Sequence, residues 1–194
     1  MTGFDGITGA LAARLMATLN ADMERAALRL VEPLDGERFL VVGFGPGVGL
    51  ELLLDAAAPA SVLGLDPSAA MLQAARRRIA RHPRRGASIE LRRGRAADLM
   101  AEGTFDAAIA VNCEQFFDPH ARSIRAIAGA LRPGGRLASL THRWAIERRH
   151  PVREWKALVE ADLTDAGLGA PVWIEDRFRS GPALGYLARS SAHP

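Results

Sequence analysis

Three glycines at alternate positions, Gly43, Gly45 and Gly47, follow the apolar run RFLVV at residues 38–42. With Gly49 they put four glycines into the stretch VVGFGPGVG, residues 41–49. Glycine costs up to ~1 kcal/mol relative to alanine inside regular structure. Such a cluster therefore marks a turn that needs positive φ, or a backbone that a ligand approaches closely. Asp66 ends a second apolar run, SVLGLD, 19 residues after Gly47. A carboxylate there can grip ribose hydroxyls through charge-assisted hydrogen bonds. Loop and carboxylate together point to a nucleoside-containing ligand. The glycine spacing is G-x-G-x-G. The dinucleotide fingerprint G-x-G-x-x-G would need glycine at 48 or 50, where the chain has Val48 and Leu50. A phosphate loop ending in Lys-Ser or Lys-Thr is excluded, because Lys156 is the chain's one lysine.

The elements that must hold these residues alternate along the chain. Residues 7–31 carry Ile7, Leu11, Leu15, Leu19, Met23, Ala27 and Leu30 at helical spacing. Asn20, Asp22, Glu24 and Arg25 fall elsewhere on that wheel. Strands are expected at 38–42, 61–66, 88–93, 105–111 and 136–141. Between them lie the apolar helix VGLELLLDAA, a helix capped by Ser68, and one that starts at Asp118 with Pro119 as its first helical residue. RPGG breaks that last helix. Residues 151–166 read as a further helix, and 171–179 with 183–190 as a hairpin turned through Ser180, Gly181 and Pro182. The expected fold is α/β: a Rossmann-like, doubly wound, seven-stranded sheet, with five parallel β/α units closed by an antiparallel β6/β7 hairpin. Ligands of such sheets bind past the carboxyl ends of the strands, near the switch point. The expected organisation is a helical segment at 1–36, acting as a lid or as edge packing, a core at 37–190 and a tail at 191–194.

In this order the motifs resemble those of the class I S-adenosylmethionine-dependent methyltransferases. VVGFGPGVG is similar to their first motif, GLDPSAAML to the ribose-binding acidic motif, and RGRAADL to the adenine-side motif. FDAAIAVNCEQFFDP resembles the segment around the fourth strand, and ALRPGGRL the turn into the fifth. The resemblance spans about residues 38–141. It implies S-adenosylmethionine as cofactor and S-adenosylhomocysteine as product. It implies that the backbone of Gly43, Phe44, Gly45 and Gly47 cradles the methionine and ribose, and that Asp66 binds the ribose diol. Pro67, Ser68 and Met71 would border the adenine, and the backbone at Arg95 and Ala96 would meet its edge. Asn112 would lie near the transferring methyl, with Phe117 as an apolar wall. Two positions depart from the family pattern: Val41 stands where an acid usually helps hold the cofactor's amino group, and Arg95 where an Asp often contacts the adenine amine. Asp98 lies close to the second. The departures keep open a cofactor-binding protein without turnover.

The acceptor leaves fewer marks. No N-P-P-Y motif follows the fourth strand, where the chain reads Asn112-Cys113-Glu114-Gln115. Cys113 is not preceded by proline and reads as a small buried apolar residue. His142, after the fifth strand, is the candidate base; the alternative is a surface or capping histidine. His82, His120, His150 and His193 receive no role. Methyl transfer needs little from a protein beyond positioning, because the sulfonium already activates the methyl group. The net charge is +3, yet residues 76–95 hold nine arginines and one acid, Glu90. No aromatics interleave with them to stack bases, so a solvated helix face is the expectation and an RNA-modifying enzyme the alternative. With 194 residues, 48% hydrophobic and 24% charged, the composition is that of one globular domain. The longest uncharged run, 39–50, is 12 residues and short of the ~18 of a membrane span. No secretory signal is read, so a cytoplasmic location is the default expectation. One cysteine excludes an internal disulfide, and no acidic cluster recommends a metal. The absence of a long insertion favours a small-molecule acceptor over nucleic acid.

Overall fold

The structure, a computed structural model, describes residues 20–83, 88–100 and 105–191. Five strands run parallel: β1 (Arg38–Val42), β2 (Ser61–Asp66), β3 (Ser88–Arg93), β4 (Phe105–Val111) and β5 (Leu131–His142). β6 (Val172–Phe178) and β7 (Gly181–Arg189) form the closing hairpin, and β7 lies antiparallel against β5. The order across the sheet is β3-β2-β1-β4-β5-β7-β6. The expected fold class is borne out.

The strands read as unbroken apolar runs because both faces are covered. Alternate residues of β1 show this. Phe39 and Val41 join one core with Met23, Leu50, Leu53 and Ala75, whereas Leu40 and Val42 join the other with Ile127, Trp155 and Val159. The first core lies under α1 (described over 20–31), α2 (Val48–Ala56) and α3 (Ala69–Ile79). The second lies under α4 (His120–Ala130), α5 (Arg143–Glu147) and α6 (Val152–Asp165). Beneath α6, Trp173 meets Trp155 at 5.5 Å and Tyr186 at 5.9 Å between ring centroids.

The chain leaves β1 toward β2 and later returns to the other flank of β1 as β4. The connections after β1 and β4 thus diverge and open a crevice at the carboxyl edge. Register aligns its parts: Val42 sits beside Leu65 on one side and Ala110 on the other. Gly43, Asp66, Val111 and Asn112 are therefore neighbours at one edge.

Some boundaries differ from expectation. α4 ends at Ala130, just ahead of RPGG as expected, but RPGG lies as a bulge within β5, not before it: Leu131 pairs with Phe105, and pairing resumes at Arg136 with Ala107. Pro119, not Asp118, occupies the cap position of α4, whose first residue is His120, and the Asp118–Pro119 peptide is cis. Gly181 and Pro182 lie inside β7, so the hairpin turns at Arg179 and Ser180. α5 has no counterpart in the sequence pattern. Residues 7–19 of the first expected helix lie outside the described residues, as do residues 192–194 of the tail. Glu24 is a correction. Periodicity sets it among the polar positions of the first helix, but it is buried between α1 and α2, because α1 turns neighbouring residues Met23, Glu24, Ala26, Ala27 and Leu28 all inward.

Candidate functional site

Gly43, Gly45 and Gly47 all adopt positive φ, at 68°, 53° and 86°. Two are also needed for space. A Cβ on Gly43 would lie 2.5 Å from Cβ of Cys113, and one on Gly47 would lie 3.0 Å from Ala75. Gly45 differs: a Cβ there would meet nothing within 4 Å, so its backbone faces the open crevice. The Phe44 side chain turns into the core over Gly64, leaving its backbone on the loop. Arg78 on α3 ties the loop down, donating through Nε to the Pro46 carbonyl (3.1 Å) and through a terminal nitrogen to Glu51 on α2 (2.5 Å).

Asp66 is buried at the end of β2. Its carboxylate accepts from the Gly45 N–H (2.9 Å) and the Ser68 N–H (2.8 Å). Burial pushes its pKa up, and these two hydrogen bonds pull it back. A carboxylate has about four lone-pair sites, so two backbone donors leave room for two hydroxyls. Ser68 caps α3, its Oγ accepting from the Met71 N–H (3.3 Å). Pro67 is exposed and Met71 buried. After β3 the chain makes a short turn, Ala96–Asp98. Arg95 is exposed, Ala96 is buried, and the Asp98 carboxylate accepts from the Arg95 N–H at 3.4 Å. Asp98 therefore faces its own turn.

Across the crevice, Asn112 has φ 51°. Its Oδ1 accepts from the His142 N–H (3.0 Å), and its Nδ2 meets Met23 Sδ at 3.5 Å. Cys113 packs on Gly43, and its Sγ–H donates to the Val42 carbonyl (3.2 Å); burial holds the thiol un-ionised. Phe117 is half-buried against the His120 ring at 6.0 Å. The His142 ring stacks on Trp144 at 6.0 Å, and burial lowers its pKa against a raising contact from the Pro182 carbonyl. The expected residues thus converge on one edge of the sheet: Gly43, Gly45, Gly47 and Asp66 on one side of the crevice, Asn112, Phe117 and His142 on the other.

A family model described as a methyltransferase domain matches residues 39–135, half of the chain. The chain belongs to the methyltransferase-domain family. An uncharacterized methyltransferase of Bacillus subtilis (strain 168), YdaC, is 29% identical over 129 residues, which cover 66% of this chain and 68% of that one. Two solved structures share the fold. One is a chain in the complex of the Haloferax volcanii Trm112 methyltransferase activator with a methyltransferase, with TM-score 0.76 and 19% identity over 95% of each chain. The other is the N-methyltransferase NodS of Bradyrhizobium japonicum WM9 with S-adenosyl-L-homocysteine, with TM-score 0.69 and 18% identity over 89% of this chain and 87% of that one. The class I methyltransferase resemblance of the sequence is borne out.

Two features of this methyltransferase escape its sequence motifs. Partly buried His120 lies between two acids, 2.5 Å from Asp162 Oδ2 through Nδ1 and 3.0 Å from Glu114 Oε1 through Nε2. Burial alone would lower its pKa, but the hydrogen bonds and charges of Glu114 and Asp162 outweigh burial and raise it. Glu114 also accepts from Ser139 Oγ on β5. The cluster pins the segment after β4 to α4, α6 and β5. His120 and Asp162 are 42 residues apart, so no local pattern announces the pairing. The second feature is Glu24. Burial pushes its carboxyl up to about 8, and none of the described residues donates a hydrogen bond to it.

Proposed function

We propose that this chain is an S-adenosylmethionine-dependent methyltransferase acting on a small-molecule acceptor. The observation that carries the cofactor assignment is Asp66. Its buried carboxylate is aligned by the N–H groups of Gly45 and Ser68, directly beside the open face of Gly45. These residues fit a ribose diol on the carboxylate and a short chain along the glycine backbone. When bound, the cofactor supplies a methyl group on a sulfonium, activated for in-line displacement.

The chain's own part is positioning. Gly43, Phe44, Gly45 and Gly47 present backbone to the cofactor; Pro67, Ser68, Met71, Arg95 and Ala96 border its adenine end. Asn112, fixed by the His142 N–H, lines the methyl end with Phe117. Holding the reactants at attack distance is worth up to ~7–11 kcal/mol. His142, kept neutral by burial, takes the proton from an acceptor that must lose one. Residues 37–190 form the core.

The small-molecule assignment rests on what borders the acceptor side. The segments after β4 and β5 are short, and each exposes an aromatic: Phe116 at 60% and Trp144 at 53%. Four of the nine arginines that could favour RNA are engaged within the fold. Arg76 donates to the Leu91 carbonyl, Arg78 to Pro46 and Glu51, Arg92 to Glu90, and Arg93 to the Pro67 carbonyl.

Calorimetric titration with S-adenosylmethionine and S-adenosylhomocysteine, beside an NADH control and Asp66→Ala, tests the cofactor assignment. Micromolar binding of the first two, lost in the variant, is the expected result. No binding by a folded wild type would overturn it and leave a fold without its cofactor.

A further inference from the structure

Glu24 is an acid without a described partner in a protein that pairs its other buried acids. Glu37 is met by Arg136 at 2.7 Å, Glu114 and Asp162 by His120, and Asp66 by two backbone N–H groups. Glu24 is 8% exposed, and none of the described residues donates to it. An unpaired buried carboxylate is costly and is not kept by packing alone.

Its place is specific. A Cβ on Gly49 would lie 2.4 Å from Oε2 of Glu24 and 2.9 Å from its Cδ. Gly49 sits in the first turn of α2 with no positive φ, so its conformation does not call for glycine. The missing side chain is the room the carboxylate occupies. From there the charge reaches the crevice. Cys113, packed on Gly43, senses Glu24 together with Glu114 and Asp66. The adjacent residue Met23 touches Asn112 Nδ2 with its sulfur. No described cation answers Glu24: Arg25 pairs with Asp22, Arg78 with Glu51, and His82 with Asp55. Val41, in the strand under the loop, supplies no charge.

We infer that Glu24 is the anionic anchor for a cationic group of the ligand on the glycine loop. On the cofactor assignment above, on which this inference rests, that group is the ammonium of the methionine tail. The α2 N-terminus, which favours negative charge, supports the ionised form once the cation arrives.

The test compares two ligands on the full chain by calorimetry: S-adenosylhomocysteine, and 5′-methylthioadenosine, which keeps the nucleoside and lacks the amino-acid tail. Glu24→Gln removes the charge at constant shape. Gly49→Ala displaces it without changing Glu24. Both variants are expected to weaken S-adenosylhomocysteine by about tenfold or more, the loss of one charge-assisted hydrogen bond. Methylthioadenosine should bind within about twofold of wild type, since it lacks that bond. Wild type should also release about 0.9 proton per S-adenosylhomocysteine bound at pH 7, because a carboxyl at about 8 is mostly protonated before binding, and Glu24→Gln should release none. Equal S-adenosylhomocysteine affinity in wild type and Glu24→Gln, with no proton release, overturns the inference. So does an equal loss of both ligands, which would make Glu24 a support of the loop. Wild type that binds neither nucleoside overturns the cofactor assignment itself.

Discussion

Glu24→Gln should stabilise the unliganded protein, and by an amount that depends on pH. The folded carboxyl titrates at about 8 instead of 4.5, because burial strips it of water. Each pH unit separating the folded and unfolded midpoints is worth about 1.36 kcal/mol, so the full cost of the ionised group is on the order of 5 kcal/mol. The sign follows from proton counting. Below pH 4.5 both folded and unfolded chains hold the proton, and Glu24 contributes no pH dependence. Between 4.5 and about 8 the unfolded chain has released it and the folded one has not, so stability falls as pH rises. Above 8 the loss levels off. Glutamine has no such transition and bears the same polar burial at every pH. Urea unfolding of both proteins at pH 5, 6, 7 and 8 measures the difference. The advantage of the variant should grow by about 1.2 to 1.3 kcal/mol per pH unit from pH 5 to 7 and by about 1 kcal/mol from pH 7 to 8. The raised His120 pKa acts equally in both proteins, so its contribution cancels. Parallel pH curves would refute the reasoning, because they would mean that Glu24 is ionised and paired in the free protein. Total stability of a domain is typically ~5–15 kcal/mol, so a residue this costly is one that function retains.

Three further outcomes follow from other parts of the site. His120→Ala leaves Glu114 and Asp162 buried without their shared donor and should cost ~3–5 kcal/mol in urea unfolding. Because the folded His120 pKa is raised, its contribution should be fully present below about 6.5 and fade as pH rises through the folded value, a dependence the variant should lack. Gly43→Ala should lower stability by at least about 2 kcal/mol, combining a positive φ with a Cβ 2.5 Å from Cys113; adding Cys113→Gly should restore the packing part alone, seen in thermal melts. Glutamine at the exposed Arg77 and Arg81 should leave RNA retention at low salt unchanged, whereas salt-dependent RNA binding lost in that variant would favour a nucleic-acid acceptor.

The sheet was legible because each strand is a short apolar run closed by a turn. SVLGLD, SIELRR and FDAAIAV are strands over the residues expected. The half of the site on the first two strands was legible for the same reason, since the turn glycines and Asp66 follow their strands within a few residues. What depends on distant pairing was not. The RPGG bulge shows only in the register between β4 and β5. Glu114 carries no mark that distinguishes it from a surface acid, and its burial is decided by His120 and Ser139. Helical periodicity misplaces Glu24 because it weighs one buried face, whereas α1 is wedged between α2 and the strand ends and turns five of six consecutive residues inward, Met23 to Leu28 with Arg25 excepted. Gly49 was the one local hint: a glycine inside an apolar helix that no turn explains.

His142 joins the two halves of the crevice, and its ring gives a last expectation. Its N–H holds the Asn112 carboxamide, so the residue has a positioning role that any side chain could fill. Its imidazole is a different matter. The ring lies at the end of β5 under Trp144, and burial depresses its pKa below 6.5 despite the nearby Pro182 carbonyl. A ring neutral at pH 7 can take a proton; one already charged cannot. An NMR titration of the histidine rings should therefore find the His142 midpoint below 6.5, and Trp144→Ala, by letting water in, should move it upward toward that value. A wild-type midpoint at or above 6.5 would remove the ring as a base and leave His142 its backbone role. Glutamine at 142 separates the two roles in the same direction. It keeps the N–H on Asn112, so cofactor affinity should persist, while turnover of an acceptor that must lose a proton should fall by ~10²–10⁴. Turnover that persists in the glutamine variant would mean that positioning by the strands and glycine loop is sufficient for transfer.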